Sequence, residues 1–320
     1  MTTSGEISFT MNTNEIVRAS LRKIGAISAG ETPDQQTVQD ATQQLNMIVK
    51  ALNATGLHIW TETEATLFLQ PGQIAYTLGG TTTDHATESY TASTLAAAAS
   101  SGDTSITVED TDGFGYGYNV GIILDNGDIF WTTQNGAASG SVITLDAALT
   151  DDAANGTAVF VYQTGITRPL RVVSTRRYAF EGAIDTPMQI IARIDYRNLP
   201  NKTNQGVPTQ VFYDPRGGAN TQGIMYIWPA PVNVYSAIKF TWWRQIEQFT
   251  TAANTPDLPQ EWLDALVWAL AYKMAPEYDC PPTRYAMLKE QAGAAMDLVA
   301  GWDREPESYL FGYNTDQTGP

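Results

Sequence analysis

The sequence predicts an α+β fold: a four-helix bundle built from N- and C-terminal helix pairs, a central antiparallel β-sheet domain, and a small all-β barrel or sandwich inserted as a module. Three observations carry this. Apolar residues recur at helical spacing near both ends, and strand-like alternation fills the middle. One long stretch also differs from everything around it in charge. Between Lys50 and Arg168 there is no Lys or Arg, while thirteen acids run from Glu62 to Asp152. Arg168 to Arg216 reverses the sign, with eight basic residues against four acids (Glu181, Asp185, Asp195, Asp214). Such asymmetry marks an acidic module set into a separate body.

The first helix is expected to start at Asn12, whose side chain caps it, with Glu15 reaching back as a capping box. Ile16, Val17, Leu21 and Ile24 form its apolar stripe, and Gly25 is a natural stop. In the second helix Thr32 is the expected cap, with Pro33 in the first turn and Gln35 closing the box. Val38, Ala41, Leu45, Ile48 and Leu52 lie on one face, and Gly56 ends it. Thr61–Leu69 alternates as a strand, Pro71-Gly72 turns, and Ile74–Leu78 returns to complete a first hairpin. From about Ser89 to Tyr162 short β-like runs follow: Ser105–Val108, Asn119–Leu124, Asp128–Thr133, Ser141–Leu145 and Thr157–Tyr162. Asp125-Asn126-Gly127 is a hairpin turn between two of them. Further strands are expected at Leu170–Ser174, Met188–Tyr196, Gln210–Tyr213, Ile224–Trp228 and Ala237–Trp243. Two helices close the chain, one opening at Pro259 and the other running from about Thr283 to Trp302. The organisation that follows is an N-terminal helical hairpin with the first β-hairpin (12–84), the acidic module (85–165), the central sheet (166–250), the C-terminal helix pair (255–304) and a tail (305–320).

Bulk composition narrows the function. A chain of 320 residues with 43% hydrophobic content can bury a sizeable core. The lone Cys280 cannot form an intrachain disulfide, which fits a reducing compartment. No run comes near 20 apolar residues, so no membrane span is expected, and Met1 to Thr13 carries no signal-peptide pattern. A net charge of −16 argues against non-specific nucleic-acid binding, which needs cations to displace counterions.

Catalytic chemistry is thin. The chain has two histidines, His58 and His85. His58 lies among apolar neighbours, where packing is the ordinary role. One Cys with two distant His makes no metal cluster, and no phosphate loop or nucleophile elbow occurs. No cofactor is expected. Glu109-Asp110-Thr111-Asp112-Gly113 reads as a solvated turn or, less well, as a calcium loop without its closing Glu. Glu62 and Glu64 lie two apart on a strand and share one face, no better placed than other carboxylates for glycoside hydrolysis. The arginines Arg168, Arg171, Arg176, Arg177, Arg193 and Arg197 either face DNA phosphates or pair with acids of the same or a neighbouring subunit. The tail side chains Tyr309, Leu310, Phe311 and Tyr313, three of them aromatic, follow Pro306 without periodicity. They either fold back on their own subunit or dock on a partner.

Taken together, several segments resemble the bacteriophage head-to-tail adaptor (connector) family, which includes the portal-proximal tail accessory factors and tail tubular protein A of short-tailed phages. Glu15-Ile16-Val17-Arg18-Ala19-Ser20-Leu21-Arg22-Lys23-Ile24-Gly25 resembles its opening helix. Pro71-Gly72-Gln73 with Tyr76-Thr77-Leu78 is similar to its first hairpin. Arg168-Pro169-Leu170-Arg171, Asp195-Tyr196, Leu199-Pro200-Asn201-Lys202, Gly206-Val207-Pro208-Thr209 and Tyr226-Ile227-Trp228-Pro229-Ala230-Pro231 resemble its central sheet. Pro256-Asp257-Leu258-Pro259, Trp262-Leu263-Asp264-Ala265-Leu266 and Ala275-Pro276-Glu277-Tyr278 resemble its third helix. The acidic module departs from the short members of the family.

The resemblance implies a structural, non-enzymatic protein of the virion neck, assembled in the host cytoplasm as a twelve-fold ring beneath the portal protein. It implies tail nozzle or tail tube proteins, and possibly a tail fibre, on the far side, with DNA passing through the lumen without sequence-specific binding. The portal-docking candidate carried over is Ser308 to Tyr313: Ser308, Tyr309, Leu310, Phe311 and Tyr313. Acidity suits such a conduit, because a negatively charged wall holds DNA weakly. The module is then expected on the ring exterior or against neighbouring virion proteins. Two other readings remain at this level: a peptidoglycan-cleaving virion hydrolase, and a glycan- or receptor-binding virion protein acting through the module.

Overall fold

The computed structural model describes residues 8–52, 61–80, 84–215 and 222–302. It is α+β, with several mainly antiparallel sheets and five α-helices among the described residues. The chain divides into two compact units, one formed by 1–60 and 246–320, the other by 61–245.

The first unit holds α1 (Thr13–Ile24), α2 (Gln35–Leu52), α4 (Trp262–Met274) and α5 (Pro282–Trp302), while α3 (Arg193–Asn198) belongs to the second. α1 starts with the capping box: the Glu15 amide donates to the Asn12 side chain, and the Asn12 amide to the Glu15 carboxylate. It ends at Gly25, which sits at φ 87° in the left-handed region. The Arg284 guanidinium reaches back and donates to the Ile24 carbonyl at 2.7 Å, satisfying one orphan acceptor of the last turn. α2 is capped by Asp34, not Thr32, because the Asp34 carboxylate accepts from the Thr37 amide at 2.8 Å. A carboxylate two residues further on outcompetes the threonine hydroxyl, and the helix starts later.

The expected four-helix bundle is not what forms. α4 is apolar on nearly every side and buries Trp262, Leu263, Ala265, Leu266, Val267, Leu270, Ala271 and Met274. A helix of that kind belongs at the centre of a core, and α4 packs on α1, α2 and α5. α5 has no concentrated apolar face; of its side chains Leu288, Ala292 and Val299 are buried, and Leu298 is 80% exposed. The four helices are therefore a central rod with three flanking helices, without the four equivalent stripes a bundle requires.

Among its described residues the second unit is built of strands joined by turns and loops, with α3 and a short 3-10 turn at Glu181–Ala183. Its strands are β1 (Glu62–Phe68), β2 (Ala75–Leu78), β3 (Ala86–Thr87), β4 (Thr91–Thr94), β5 (Ser105–Thr107), β6 (Asn119–Ile123), β7 (Ile129–Thr133), β8 (Val142–Thr144) and β9 (Ala158–Tyr162). They continue with β10 (Arg171–Ala179), β11 (Ile184–Pro187), β12 (Gln189–Ile190), β13 (Gln205–Gly206), β14 (Gln210–Asp214), β15 (Gly223–Trp228), β16 (Ala230–Pro231) and β17 (Ser236–Trp243).

The central domain is a sandwich of two sheets. One has the order β11-β10-β17-β1-β3, the other β12-β14-β15-β2, with β12 and β14 parallel. Their inner faces share one core, in which Leu67, Tyr76, Val211, Met225, Ile227, Ile238, Phe240 and Trp242 meet. β1 and β2 do not form the expected hairpin. β1 pairs with β17 and β3, and β2 with β15, so the chain changes layer at Pro71-Gly72. Nor is Met188–Tyr196 one strand: only Gln189 and Ile190 pair, and Arg193–Asn198 is α3. A parallel two-stranded ribbon, β13 with β16, lies beside the sandwich.

The acidic module has its own core of Leu95, Ile106, Val108, Val120, Ile122, Ile143, Leu145, Val159 and Val161 among others. A sheet β4-β9-β6-β7 faces the pair β5-β8. The barrel is not closed. Single bridges, Leu95 to Val108 and Gln134 to Leu145, link the two layers where a continuous ladder would be needed. β5 and β8, three residues each, are too short to complete a wall.

Candidate interaction surface

The register of the five-stranded sheet sorts its side chains onto two faces. Inward go Val172, Thr175 and Arg177 of β10, opposite Trp242, Phe240 and Ile238 of β17. Outward go Arg171, Ser174, Arg176 and Tyr178, beside Trp243, Thr241, Lys239 and Ala237, with Glu62, Glu64, Thr66 and Phe68 of β1 next in line. The outer face is a lattice of cations, aromatics and acids. Arg176 bridges Glu64 and Asp185 across the sheet, the latter at 3.3 Å. Arg171 lies 5.2 Å over the Trp243 ring, and Lys239 3.7 Å over Tyr178. The Trp243 indole donates to Glu62 at 2.8 Å. Glu62 and Glu64 do share the outward face, each engaged by its neighbour.

On the opposite side of the sandwich, Phe212 and Tyr226 point outward from the four-stranded sheet, and α3 covers them with Tyr196. The three rings lie within 5.7 Å of one another, centroid to centroid. Arg193 pairs with Asp214 at 2.7 Å and stands over the Phe212 ring. Lys202 donates to the Arg197 and Leu199 carbonyls at 3.1 Å, closing the C-terminal end of α3. The Arg197 side chain is exposed. Arg168, just before β10, donates to the Pro215 carbonyl at 2.9 Å. The six candidate arginines thus divide into two sets. Arg171, Arg176 and Arg177 lie on β10, and Arg168, Arg193 and Arg197 around the end of β14 and α3. The tail candidates Ser308, Tyr309, Leu310, Phe311 and Tyr313 lie outside the described residues, as does His58.

Composition and spacing pointed to none of the residues that join the module to the sandwich. Phe68, on the outer face of the five-stranded sheet, inserts among Tyr90, Trp131, Phe160 and Phe180. Gln70 pairs with the backbone of Ile129 like an extra strand residue, donating to its carbonyl at 2.6 Å and accepting from its amide at 3.1 Å. His85 stacks on Trp131 at 3.9 Å with the planes 8° apart. Its Nδ1 lies 2.7 Å from the Tyr162 hydroxyl. Burial depresses the imidazole pKa to about 4, and raises that of Tyr162. Both groups are therefore neutral near pH 7. Gly121, opposite Trp131 in the β6–β7 ladder, leaves room for the indole: a Cβ there would stand 2.6 Å from the ring.

The module's acids are of a different kind. Glu88, Asp103, Glu109, Asp110, Asp112, Asp125, Asp128, Asp146 and Asp152 are exposed. Among the described residues none of them forms an ion pair, and no three His, Cys, Asp or Glu side chains gather as a metal would need.

What the two described faces of the sandwich and the module offer is contact chemistry: stacked cations, inter-strand ion pairs and exposed apolar side chains. That is the make-up of a structural assembly protein. The comparison with known families makes this specific. A family model described as SU10 adaptor protein matches residues 146–309, just over half of the chain, and the chain belongs to this family of phage head-to-tail adaptors. The match runs from the end of the module through the sandwich to the C-terminal helices. The family is structural and belongs to the virion neck. No curated protein matches the chain. Among the described residues no helix is long and apolar enough to cross a membrane.

Proposed function

We propose that the chain is a subunit of the head-to-tail adaptor ring beneath the portal, with about twelve copies extending the DNA channel and providing the platform for nozzle or tail-tube proteins. The observation that carries this is the family match over 146–309, which spans most of the sandwich and both C-terminal helices. The segment Ser308 to Tyr313 is the portal-docking element in this reading. The six arginines serve contacts between copies or toward the lumen, and DNA passes without base-specific recognition. The subunits are made in the host cytoplasm and take their place at the neck of the filled head.

The test is binding of the full chain to purified portal. The intact protein is expected to bind, and a chain lacking 305–320 to keep its fold, by circular dichroism, and to lose binding. Equal binding by the truncated chain would remove the tail from the account. No binding by the intact chain would remove the adaptor role itself.

A further inference from the structure

A ring needs a head-to-tail contact in which two different surfaces of one chain meet, and the charge layout singles out two. The first is the outer side of the four-stranded sheet around α3. Here Ile194, 62% exposed, is a large apolar side chain open to water beside the cations Arg193, Arg197 and Lys202, which outnumber the acids among them, Asp195 and Asp214. The second is the module. Tyr116, 75% exposed, follows Glu109, Asp110 and Asp112 in the loop after β5, all exposed and none in an ion pair among the described residues. The module contains no cation to neutralise them. The two surfaces are on opposite sides of the sandwich. The module is anchored through Phe68 on the outer face of the five-stranded sheet, and α3 lies on the outer face of the four-stranded sheet.

We infer that the α3 face docks the acidic module of a second copy of this chain. The inference rests on the ring reading above and names the surfaces that make the ring. Its chemistry is the ordinary anatomy of a protein interface: an apolar centre (Ile194 against Tyr116) inside a rim of opposite charges. Placement on opposite sides of one unit makes the contact heterologous. Each copy then offers a free α3 face and a free module until the ring closes. The same charges keep modules apart from one another, so the wrong pairing is repelled.

The experiment uses the full chain and the purified portal, with mass photometry to read copies bound per portal against chain concentration. Two variants reverse charge: Glu109→Lys with Asp112→Lys on exposed side chains of the module, and, at α3, Arg197→Glu on an exposed side chain with Lys202→Glu on a half-buried one. Each is checked for fold by circular dichroism. Each is expected to raise the half-assembly concentration at least about ten-fold, since like charges meet across the contact. The two variants mixed together are expected to recover assembly with the two kinds of copy alternating, since each surface then meets one of opposite charge, and the four-fold reversal in one chain restores assembly to within about three-fold of wild type. A salt series on the unmodified chain keeps the test decisive if a variant fails to fold: raising NaCl from about 50 to about 500 mM is expected to weaken assembly by a similar factor. Wild-type assembly that ignores both charge reversal and salt overturns this contact and leaves the adaptor role standing. A wild-type chain that never binds portal overturns both.

Discussion

Gly121→Ala tests how the acidic module is held to the sandwich. The new Cβ would stand 2.6–2.7 Å from three atoms of the Trp131 benzo ring, closer than carbon atoms approach. The ring cannot simply swing away, because His85 is stacked 3.9 Å from it and the Phe68 ring meets it edge-on at 5.1 Å. Overpacking of this kind costs about 1–3 kcal/mol. Displacing the indole also loosens two aromatic contacts, at about 0.5–1.5 kcal/mol each. Against this, replacing Gly by Ala within a strand recovers about 0.5–1 kcal/mol of backbone entropy. The losses win, and a net destabilisation of about 2–3 kcal/mol is expected. Urea denaturation followed by near-ultraviolet circular dichroism reads it. In a Trp131→Leu background the same glycine change should cost little, since the obstructing ring is gone. A neutral Gly121→Ala, or an equal cost in both backgrounds, would refute the reasoning.

Other expectations follow from the same contacts. His85 has a folded-state pKa of about 4, below the unfolded value near 6.5, so the unfolded chain takes up its proton first. The stabilisation is complete above about pH 6.5 and is lost as pH falls toward 4, by up to about 3 kcal/mol. His85→Gln should flatten that part of the pH–stability curve relative to wild type, and parallel curves would contradict the assignment. Gly25→Ala forces a non-glycine residue to φ 87° and drives the Arg284 guanidinium off the Ile24 carbonyl. About 2 kcal/mol of loss is expected by thermal melting. Arg284→Ala alone should cost about 1 kcal/mol, and the double variant less than the sum. Loss of portal binding on removal of 305–320 should leave the melting curve of the remaining chain unchanged.

Elements governed by local rules were legible in the sequence. The Asn12–Glu15 capping box and the Gly25 stop are where spacing placed them, and so is the Asp125-Asn126-Gly127 turn between β6 and β7. The five strand runs of the acidic module all appear, because each is a short β-rich run bounded by turn residues. The failures are non-local. Met188–Tyr196 reads as strand from its run of isoleucines, yet burial of Tyr196 on Phe212 and Tyr226 makes Arg193–Asn198 a helix. The Pro71-Gly72 turn looked like a hairpin, but β1 finds its partners at β17 and β3. The burial of α4 on nearly every side depends on three neighbouring helices that only the fold brings to it. The junction was invisible for the same reason: His85 and Tyr162 are 77 residues apart, and nothing near His85 announces a partner. The charge contrast between the module and the arginine-rich stretch was plain in the sequence. Only the sheet registers show that the module and α3 stand on opposite sides of one sandwich.

Electron cryomicroscopy of the full chain mixed with purified portal addresses the adaptor role most directly. The account predicts a closed ring of this chain seated coaxially on the portal, with a continuous central channel. A portal that emerges bare, with the chain left in solution as single copies, would contradict it.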